Sequence, residues 1–270
     1  MKVAVLGLGE AGSALAADLA RSGDEVHGYD PGPVPTPAGV KRLDAPDAAI
    51  AGCSLVLAVT AASRAGDALT QVLGTLQSGA IYADLSTGSP GMKEALAARA
   101  AGRTALFVDV ALMAPVPGRG LAAPALASGS GAAQYAELLN ARGGQVTVVG
   151  ERAGQAAARK LLRSVVMKGL AALLIESAEA ATRYGQGEWF WNHLVDQLGS
   201  MDETLMERLL FATAIHTPRR LEEMEAARDL LTELGVPATM TSATIIHLRR
   251  LLEEGMPEVY HQSRIDQTDD

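Results

Sequence analysis

The sequence predicts a two-domain protein: a doubly wound α/β N-terminal domain with a mostly parallel sheet, followed by an all-helical C-terminal domain. Up to about residue 150, short apolar runs alternate with alanine-rich amphipathic segments. Continuous apolar runs are typical of parallel strands covered by helices on both faces, and their alternation with helices indicates βα units. After Gly150 no strand pattern recurs. We therefore place the domains at residues 1–152 and 153–262, and expect a polar flexible tail at residues 263–270.

The individual elements follow from these runs. Each predicted strand is a group of four or five mostly apolar residues, namely Val3–Leu6, Glu25–Tyr29, Leu55–Val59, Ile81–Leu85, Leu106–Val110 and Val146–Val149. Amphipathic segments between the early strands predict the helices Ala14–Ser22, Arg64–Leu76 and Met92–Ala101. In the second domain we predict helices that each precede a glycine, namely Ala153–Tyr184, Leu221–Leu234 and Thr244–Glu254.

Composition excludes several classes of function. The chain carries 23 basic and 31 acidic residues, a formal net charge of −8, and an acidic surface repels the phosphates of nucleic acids. Its single cysteine, Cys53, cannot form an internal disulfide, and its five histidines show no zinc-ligand spacing, so we expect no metal. No apolar run is long enough to span a membrane and no signal peptide is visible, so we expect a cytoplasmic protein without membrane contact. A small anionic substrate in a locally basic pocket is compatible with this charge.

The first motif with chemical content is Gly7-Leu8-Gly9-Glu10-Ala11-Gly12, which lies between the first predicted strand and a helix that starts near Ala11. Gly7 permits a tight turn, Gly9 lets the backbone approach a pyrophosphate, and Gly12 lets helix and strand pack closely. Free N–H groups at the start of the helix also favour phosphate. This context predicts the dinucleotide-binding fingerprint of a Rossmann domain.

Asp30 is the residue that helps to distinguish NAD from NADP as the cofactor. It follows the next predicted strand, 18 residues after Gly12. A carboxylate at this place accepts the hydroxyls of an adenosine ribose and repels a 2′-phosphate, so we favour NAD as the cofactor. NADP stays open because Lys41 or Arg42 could swing toward a 2′-phosphate. The alternative role of Asp30 is to cap the turn before Pro31.

The run Asp84-Leu85-Ser86-Thr87-Gly88-Ser89-Pro90 resembles a segment of the β-hydroxyacid dehydrogenases, relatives of 6-phosphogluconate dehydrogenase. In that superfamily the segment follows a strand that ends beside the nicotinamide. The resemblance implies that Ser86 and Thr87 supply hydroxyl and N–H groups to a substrate carboxylate or to the nicotinamide amide. It also implies that the end of the third strand, Val59, and the loop after it, Thr60-Ala61-Ala62, line the cofactor path. The alternative is a turn and N-cap before a helix that starts at Pro90, and both roles are compatible.

A second matching block, Val108–Gly120, departs from the family pattern. Family members have the sequence D-A-P-V-S-G-G here, in which the serine and glycines receive the substrate carboxylate. Asp109 of this chain matches, but the serine is replaced and the glycines come later. The resemblance implies a substrate-binding loop whose corresponding residues are Met113, Gly118, Arg119 and Gly120. An arginine between two glycines is a candidate partner for an anion, although an exposed loop arginine can also serve solubility alone.

The helix that opens the second domain carries a further block, Gly154–Ser164. The superfamily places its catalytic lysine on this helix, with an asparagine four residues later and a glutamate sixteen residues later. Lys160 and Glu176 have that separation, so the resemblance implies that Lys160 is catalytic and that Ser164 replaces the asparagine. Lys168 lies on the same helical face, roughly 12 Å further along the axis, and is a candidate for shaping the cleft. The alternative is that Lys168 snorkels or pairs with a glutamate.

The shortened C-terminal half resembles a divergent subgroup of phosphogluconate-dehydrogenase-like oxidoreductases. It carries Glu222-Glu223 where usual members carry Lys-Asp. Arg219 and Arg220 either bind anionic substrate or belong to a solvated face paired with glutamates at helical spacing. Apolar residues at 189–191 and 209–211 exceed what a small bundle can bury, which predicts a homodimer.

Together these features predict an NAD(P)-dependent oxidoreductase. The expected reaction moves a hydride between nicotinamide and the carbinol or carbonyl carbon of a small, anionic β-hydroxy acid, with Lys160 as general acid and base. An imine or ketone reductase of the same superfamily is the first alternative, which retention of Lys160 disfavours. The second alternative is a dinucleotide-binding sensor without turnover, which is compatible with the departures at Met113, Ser164 and Glu222.

Overall fold

The computed structural model describes residues 1–199 and 201–257, so the predicted tail at residues 263–270 lies outside the described residues. Contacts within the chain divide it into two compact units, Met1–Ser164 and Val165–Asp270. The first is an α/β unit, and the described part of the second is helical. The predicted fold class is therefore confirmed.

One eight-stranded sheet forms the centre of the first unit. Its strands are β1 (Lys2–Leu6), β2 (Glu25–Tyr29), β3 (Val40–Arg42), β4 (Leu55–Ala58), β5 (Ile81–Asp84), β6 (Leu106–Leu112), β7 (Ala125–Ser128) and β8 (Val146–Gly150). They lie in the order β3-β2-β1-β4-β5-β6-β7-β8, and every neighbouring pair is parallel except β6 and β7. The strand order reverses at β1, between β2 and β4. In doubly wound folds, ligands bind beyond the carboxyl ends of the strands at this reversal.

The six predicted strands are confirmed, with ends shifted by no more than two residues. The strands β3 and β7 are additional. β3 has only three residues, two of them basic, and β7 consists of Ala125-Leu126-Ala127-Ser128. Neither composition has much β preference, so both strands depend on the hydrogen-bonding edge that a neighbour offers.

Helices cover both faces of this sheet. They are α1 (Glu10–Arg21), α2 (Pro46–Ile50), α3 (Ala65–Val72), α4 (Pro90–Ala101), α5 (Ala132–Asn140) and the start of α6 (Gln155–Arg183). Val5 packs in one buried cluster with Leu15 of α1, whereas the next residue, Leu6, packs in a second cluster with Leu69 of α3. Burial on both faces explains why the strands appear in the sequence as continuous apolar runs.

The second unit contains the rest of α6 together with α7 (Gly187–Gly199), α8 (Glu203–Glu233) and α9 (Thr239–Glu254). Helix α8 starts well before the predicted start at Leu221, because it continues through Pro218 with a kink. His216 has a φ of −113° and a ψ of 23°. A proline removes one backbone hydrogen bond and bends a helix, and here it does not end it. No helix in the described ranges is long and apolar enough to cross a membrane.

Candidate active site

The glycine-rich turn between β1 and α1 is closely packed at its ends and open in the middle. Gly7 has a φ of +97°, and a Cβ there would overlap the carbonyl oxygen of Val59. A Cβ at Gly12 would overlap the carbonyl oxygen of Gly7, whereas a Cβ at Gly9 would meet no atom within 4 Å. Gly9 is the N-cap of α1, and no side chain caps the helix there. The turn therefore leaves room for a ligand beside N–H groups that favour an anion.

The residues between these glycines offer backbone groups rather than side chains. Leu8 is buried in the core, and its N–H donates to Asp30 Oδ2 at 2.7 Å. Glu10 is exposed and Ala11 is half-buried in the first turn of α1. The predicted cofactor contacts of Glu10 and Ala11 would therefore be made by their N–H groups.

Asp30 follows β2 and is fixed by two backbone N–H groups. Its Oδ2 accepts from Leu8, and its Oδ1 accepts from Gly32 at 2.7 Å. The turn-capping role that the sequence left open is thus present. Asp30 also lines a cleft of about 510 Å³ together with Gly7, Gly9 and Thr60. Both roles are compatible, because each carboxylate oxygen has more than one acceptor site.

Arg42 of β3 closes the loop that follows Asp30. Its guanidinium donates to the carbonyl oxygens of Asp30 at 2.9 Å and of Gly32 at 2.6 Å, and also to that of Val34. Lys41 is exposed. Movement of Arg42 toward a 2′-phosphate would break these three hydrogen bonds.

Thr60 follows β4 at the same edge of the sheet. Its Oγ1 is buried and has no hydrogen-bond partner among residues 1–199 and 201–257. Val59 is half-buried, Ala61 is exposed, and both line the cleft. A buried hydroxyl without a partner at a ligand cleft is typical of a group that a ligand satisfies. The open glycine, the uncapped helix start, the carboxylate and this hydroxyl all fit a nicotinamide dinucleotide.

Ser86 and Thr87 follow β5 and differ in exposure. Ser86 is buried, and its hydroxyl donates to Asp84 Oδ2 at 2.8 Å. Thr87 is exposed. Ser89 accepts the N–H of Met92 at 3.2 Å and so caps α4, which starts at Pro90. The N-cap that the sequence offered as an alternative is therefore present beside the two candidate ligands.

Lys160 lies in the second turn of α6 and is half-buried. Its Nζ donates to Thr87 Oγ1 at 3.1 Å, which brings together two candidate residues that are 73 positions apart. Ser164, one turn further along the helix, is also half-buried. Arg163 donates to the carbonyl oxygen of Met113 at 3.3 Å, which ties the end of β6 to the same helix.

The far end of the predicted substrate loop packs against α1. Gly118 and Arg119 are exposed, and Gly120 is buried where a Cβ would overlap the carboxylate of Asp18. The same carboxylate accepts the N–H of Leu121 at 2.9 Å. Asp18 is about 12 Å along the helix axis from the first residue of α1. Gly120 thus lies beside the C-terminal half of α1.

Glu176, which sets the family register, has a structural role in the second unit. Its Oε2 accepts the N–H of Met240 at 2.7 Å, and its Oε1 accepts the N–H and hydroxyl of Thr241 at 2.9 and 2.7 Å. Burial raises the pKa of this carboxyl, but the hydrogen bonds from Thr241, Met240 and Thr239 outweigh burial and bring the pKa below its usual value. Glu176 thereby caps α9, whose N-cap residue Ala238 offers no side-chain acceptor.

The other candidate residues of the second unit lie on α6 and α8. Lys168 is exposed. Arg219 Nε is 3.6 Å from Glu223 Oε1, which is the pairing at helical spacing that the sequence left open. Arg220 is half-buried and donates to Thr213 Oγ1 at 2.6 Å. Both arginines line a cavity of about 470 Å³ within this unit.

A buried ionic cluster next to the end of β5 was not predicted from the sequence. Lys93 of α4 is fully buried, and its Nζ lies 2.6 Å from Asp84 Oδ2 and 3.3 Å from Asp109 Oδ1. Asp84 and Asp109 are paired across β5 and β6. A signal was available, because Lys93 precedes Leu96 and Ala100 by three and seven residues, which is the spacing of one helix face.

Known protein families match most of the chain. Residues 2–150 match the NAD binding domain of 6-phosphogluconate dehydrogenase, and residues 181–251 match a domain of unknown function, DUF1932. No curated protein matches the chain.

Solved structures that resemble nearly the whole chain include the following three. A conserved protein of unknown function, with structural similarity to 3-hydroxyacid dehydrogenases, is 29% identical, with a TM-score of 0.62 over 94% of this chain and 97% of that chain. The Streptomyces aurantiacus imine reductase is 20% identical, with a TM-score of 0.79 over 94% and 95%. A reductive aminase from Aspergillus terreus, in complex with NADPH and ethyl-5-oxohexanoate, is 23% identical, with a TM-score of 0.76 over 99% of both chains. The last two are similar in fold alone.

The match to residues 2–150 covers more than half of the chain and agrees with the sheet order and the glycine turn. The chain belongs to the family with the NAD binding domain of 6-phosphogluconate dehydrogenase, within the NAD(P)-binding, 3-hydroxyacid dehydrogenase-like oxidoreductases.

Proposed function

We propose that the protein oxidises or reduces a small, anionic β-hydroxy acid or its keto form with a nicotinamide dinucleotide, and that Lys160 is the general acid and base. The observation that carries this proposal is the contact of 3.1 Å between Lys160 Nζ and Thr87 Oγ1. Thr87 follows β5 at the carboxyl edge of the sheet, where such folds bind the cofactor. The contact therefore supports a position of the Lys160 amine next to the nicotinamide and the substrate.

The residues that would hold the cofactor are those around the cleft of the first unit. The N–H groups at Gly9 and the first turn of α1 suit the pyrophosphate, Asp30 suits the adenosine ribose, and the Thr60 hydroxyl can be satisfied by the ligand. When bound, the nicotinamide accepts or supplies the hydride. We favour NAD, because Asp30 is fixed at the cleft and Arg42 is held by three carbonyl oxygens.

The role of Lys160 is proton transfer. During oxidation the C–H bond of the carbinol breaks as the hydride leaves, and the neutral amine of Lys160 takes the hydroxyl proton as the carbonyl forms. During reduction the Lys160 ammonium returns that proton to the developing alkoxide. Thr87 orients the amine by accepting one of its hydrogens, and the Thr87 backbone N–H is the group offered to a substrate carboxylate. Ser86 supports this turn from behind, because its N–H and its hydroxyl both donate to the carboxylate of Asp84, at 3.4 and 2.8 Å.

A second candidate is an imine reductase or reductive aminase. It is supported by the structural similarity to the Streptomyces and Aspergillus enzymes. Activity on a panel of β-hydroxy acids and on a panel of cyclic imines, or of ketones with amines, separates the two. We expect activity on the hydroxy acids, because a lysine amine next to Thr87 suits proton transfer to and from an alcohol oxygen.

The variant Lys160→Ala tests the proposed function. We expect a loss of turnover of about 100-fold or more, the usual contribution of a general acid or base, with NADH affinity changed less than about twofold. Arg159→Ala is the matched control, because Arg159 is the exposed neighbour on the same helix. Cofactor absorbance measures turnover and NADH fluorescence measures binding.

Unchanged turnover in Lys160→Ala would reject the role of Lys160. Binding of NADH by the wild-type protein without turnover on either panel would instead favour the dinucleotide-binding sensor.

A further inference from the structure

The ionic cluster of Lys93, Asp84 and Asp109 supports the segment that ends in Thr87. Lys93 Nζ donates to the Asp84 carbonyl oxygen at 3.0 Å and to Asp84 Oδ2 at 2.6 Å. The same Oδ2 accepts the hydroxyl of Ser86 at 2.8 Å, one residue before Thr87. One buried ammonium therefore holds both the end of β5 and the turn that follows it.

The same cluster supports the start of α6. Asp109 Oδ2 accepts the N–H groups of Gly154 at 3.1 Å and Ala157 at 2.9 Å. It also accepts the hydroxyl of Ser128, at 3.2 Å, and the Ser128 oxygen in turn accepts the N–H of Ala156 at 3.0 Å. Two side chains from the sheet thus cap the first turn of α6, and both are fully buried.

Charge balance is consistent with this capping. The cluster has two carboxylates for one ammonium, and the excess negative charge lies at the positive end of a helix. Buried ions do not in general make a core more stable than apolar residues of the same volume would. A gain in stability is therefore a weak explanation for burying these three charges. A fixed arrangement of β5 relative to the start of α6 explains them better.

We propose that Asp109, supported by Lys93 and Ser128, is a positioning residue for the Lys160 amine. Lys160 lies about one turn after the two capped N–H groups of Ala156 and Ala157. Because the caps fix that turn, they also fix the backbone position from which the Lys160 side chain extends. Thr87 accepts a hydrogen from the Lys160 amine. The residues just before Thr87 are fixed by the Lys93 ammonium, which binds Asp84, and by Asp84, which accepts the Ser86 hydroxyl. The catalytic consequence of this inference rests on the proposed function, but the geometric part does not.

The test uses the full chain and removes one link at a time. Ser128→Ala deletes the hydroxyl that joins Asp109 to Ala156, and Asp109→Asn removes the charge of the cap. Asp109→Asn leaves Lys93 with one carboxylate fewer and can impair folding, so Ser128→Ala is the primary variant. Ser130→Ala is the control, because its hydroxyl accepts a backbone N–H from β6, that of Phe107 at 3.0 Å.

The first readout is independent of activity. Trace labelling of amines with acetic anhydride, followed by peptide mass spectrometry, gives the ratio of labelling at half-buried Lys160 to that at exposed Lys168. We expect this ratio to rise in Ser128→Ala, because the Lys160 amine leaves Thr87 more often, and to stay at the wild-type value in Ser130→Ala. An unchanged ratio in Ser128→Ala, or an equal rise in Ser130→Ala, would overturn the positioning role.

The second readout is kinetic. We expect Ser128→Ala to lower kcat by about tenfold, because small displacements of a reacting group are costly, while KM and NADH affinity change less than about twofold. A purely structural role of Ser128 would lower the fraction of active protein and leave kcat per active site unchanged, and that result would also contradict the inference. If Lys160→Ala proves as active as wild type, the proposed function fails, and the labelling ratio still decides whether Asp109 and Ser128 position the amine.

Discussion

Asp30 combines two roles in one carboxylate. Each of its oxygens accepts one backbone N–H, from Leu8 and from Gly32, so the group is fixed at the edge of the cleft. The remaining lone pairs can accept ribose hydroxyls. The turn-capping role therefore prepares the carboxylate for a cofactor and does not compete with that use.

The variant Asp30→Asn measures this second role. We expect NADH to bind about tenfold or more weakly, because a hydrogen bond to a charged group contributes about 1.5–3 kcal/mol. We expect NADPH affinity to be unchanged or higher, because the charge that repels a 2′-phosphate is gone. Fluorescence titration with both dinucleotides measures the change, and Asp47→Asn, at an exposed position of α2, is the control. Equal losses for both dinucleotides would contradict a contact between Asp30 and the ribose.

Single residues were predictable where a local motif defines them. Strand, turn and helix spacing placed the glycine turn and Asp30 at one cleft, and the family resemblance, through the separation of Lys160 and Glu176, selected Lys160. The catalytic role of Lys160 stays a prediction. Lys93 was missed because its partners come from two strands. Its spacing from Leu96 and Ala100 places it on the buried face of α4 but does not identify those partners. The packing of Gly120 on Asp18 is a contact over 102 residues, which spacing cannot predict.

The N-cap residue of helix α9 has no side-chain acceptor, and the carboxylate of Glu176 on α6 accepts the first N–H groups of α9 instead. The hydrogen bonds that this carboxylate accepts favour its charged form, which lowers its pKa despite burial. A carboxyl whose pKa is lower in the folded state contributes stability above its unfolded pKa, about 4.3, and loses that contribution as the pH falls through the folded pKa.

The variant Glu176→Gln tests this cap. At pH 7 we expect a loss of about 1–2 kcal/mol in the free energy of unfolding, the usual contribution of a helix cap, with the difference from wild type shrinking below about pH 4.3. Urea unfolding at pH 7 and at acidic pH measures both effects. Glu222→Gln, at an exposed position of α8, is the control. A difference that stays constant at all pH values would mean that the charge of Glu176 does not stabilise α9.

Helices and strands were predictable from the sequence where their apolar pattern is regular and several residues long. The six apolar strands were found nearly to their ends, whereas β3 and β7 exist through their neighbours and were not found. The start of α8 was misplaced, because the predicted helix begins at Leu221 whereas α8 begins at Glu203 and includes Pro218. The helix continues past it, with the loss of one hydrogen bond and a kink at His216.

At the scale of the whole molecule, the helical unit exposes several large apolar side chains. Trp189 and Trp191 of α7 are 61% and 64% exposed, and Ile215 of α8 is 72% exposed. Several large apolar side chains exposed on one helical unit favour a protein interface there. We propose that a second copy of the chain covers them, as the sequence predicts.

Light scattering of the purified protein tests the dimer. We expect a mass near twice 28.0 kDa, and a shift toward the monomer in Trp191→Glu, because a charge in an apolar interface is costly. Lys41→Glu, an exposed position of the first unit, should leave the mass unchanged. A monomer at concentrations of about 50 μM would contradict the proposal, because obligate interfaces of this apolar kind bind more tightly than that.

The fold class was predictable from the sequence because both halves have strong, different periodicities. The contact between Lys160 and Thr87 follows only when two resemblances are combined, the motif at the end of β5 and the lysine position on α6. The hydrogen bonds of Asp109 and Ser128 to the start of α6 were not predicted. Side chains that meet through tertiary packing leave little trace in a single sequence, whereas turns and helix faces do.

The most direct measurement is a crystal structure of the protein with the reduced dinucleotide. We expect the pyrophosphate beside Gly9 and the start of α1, and the nicotinamide ring beside Thr87, separated from the Lys160 amine by a gap that one small substrate fills. A ring bound elsewhere, or a Lys160 amine that points away from it, would contradict the proposed reaction.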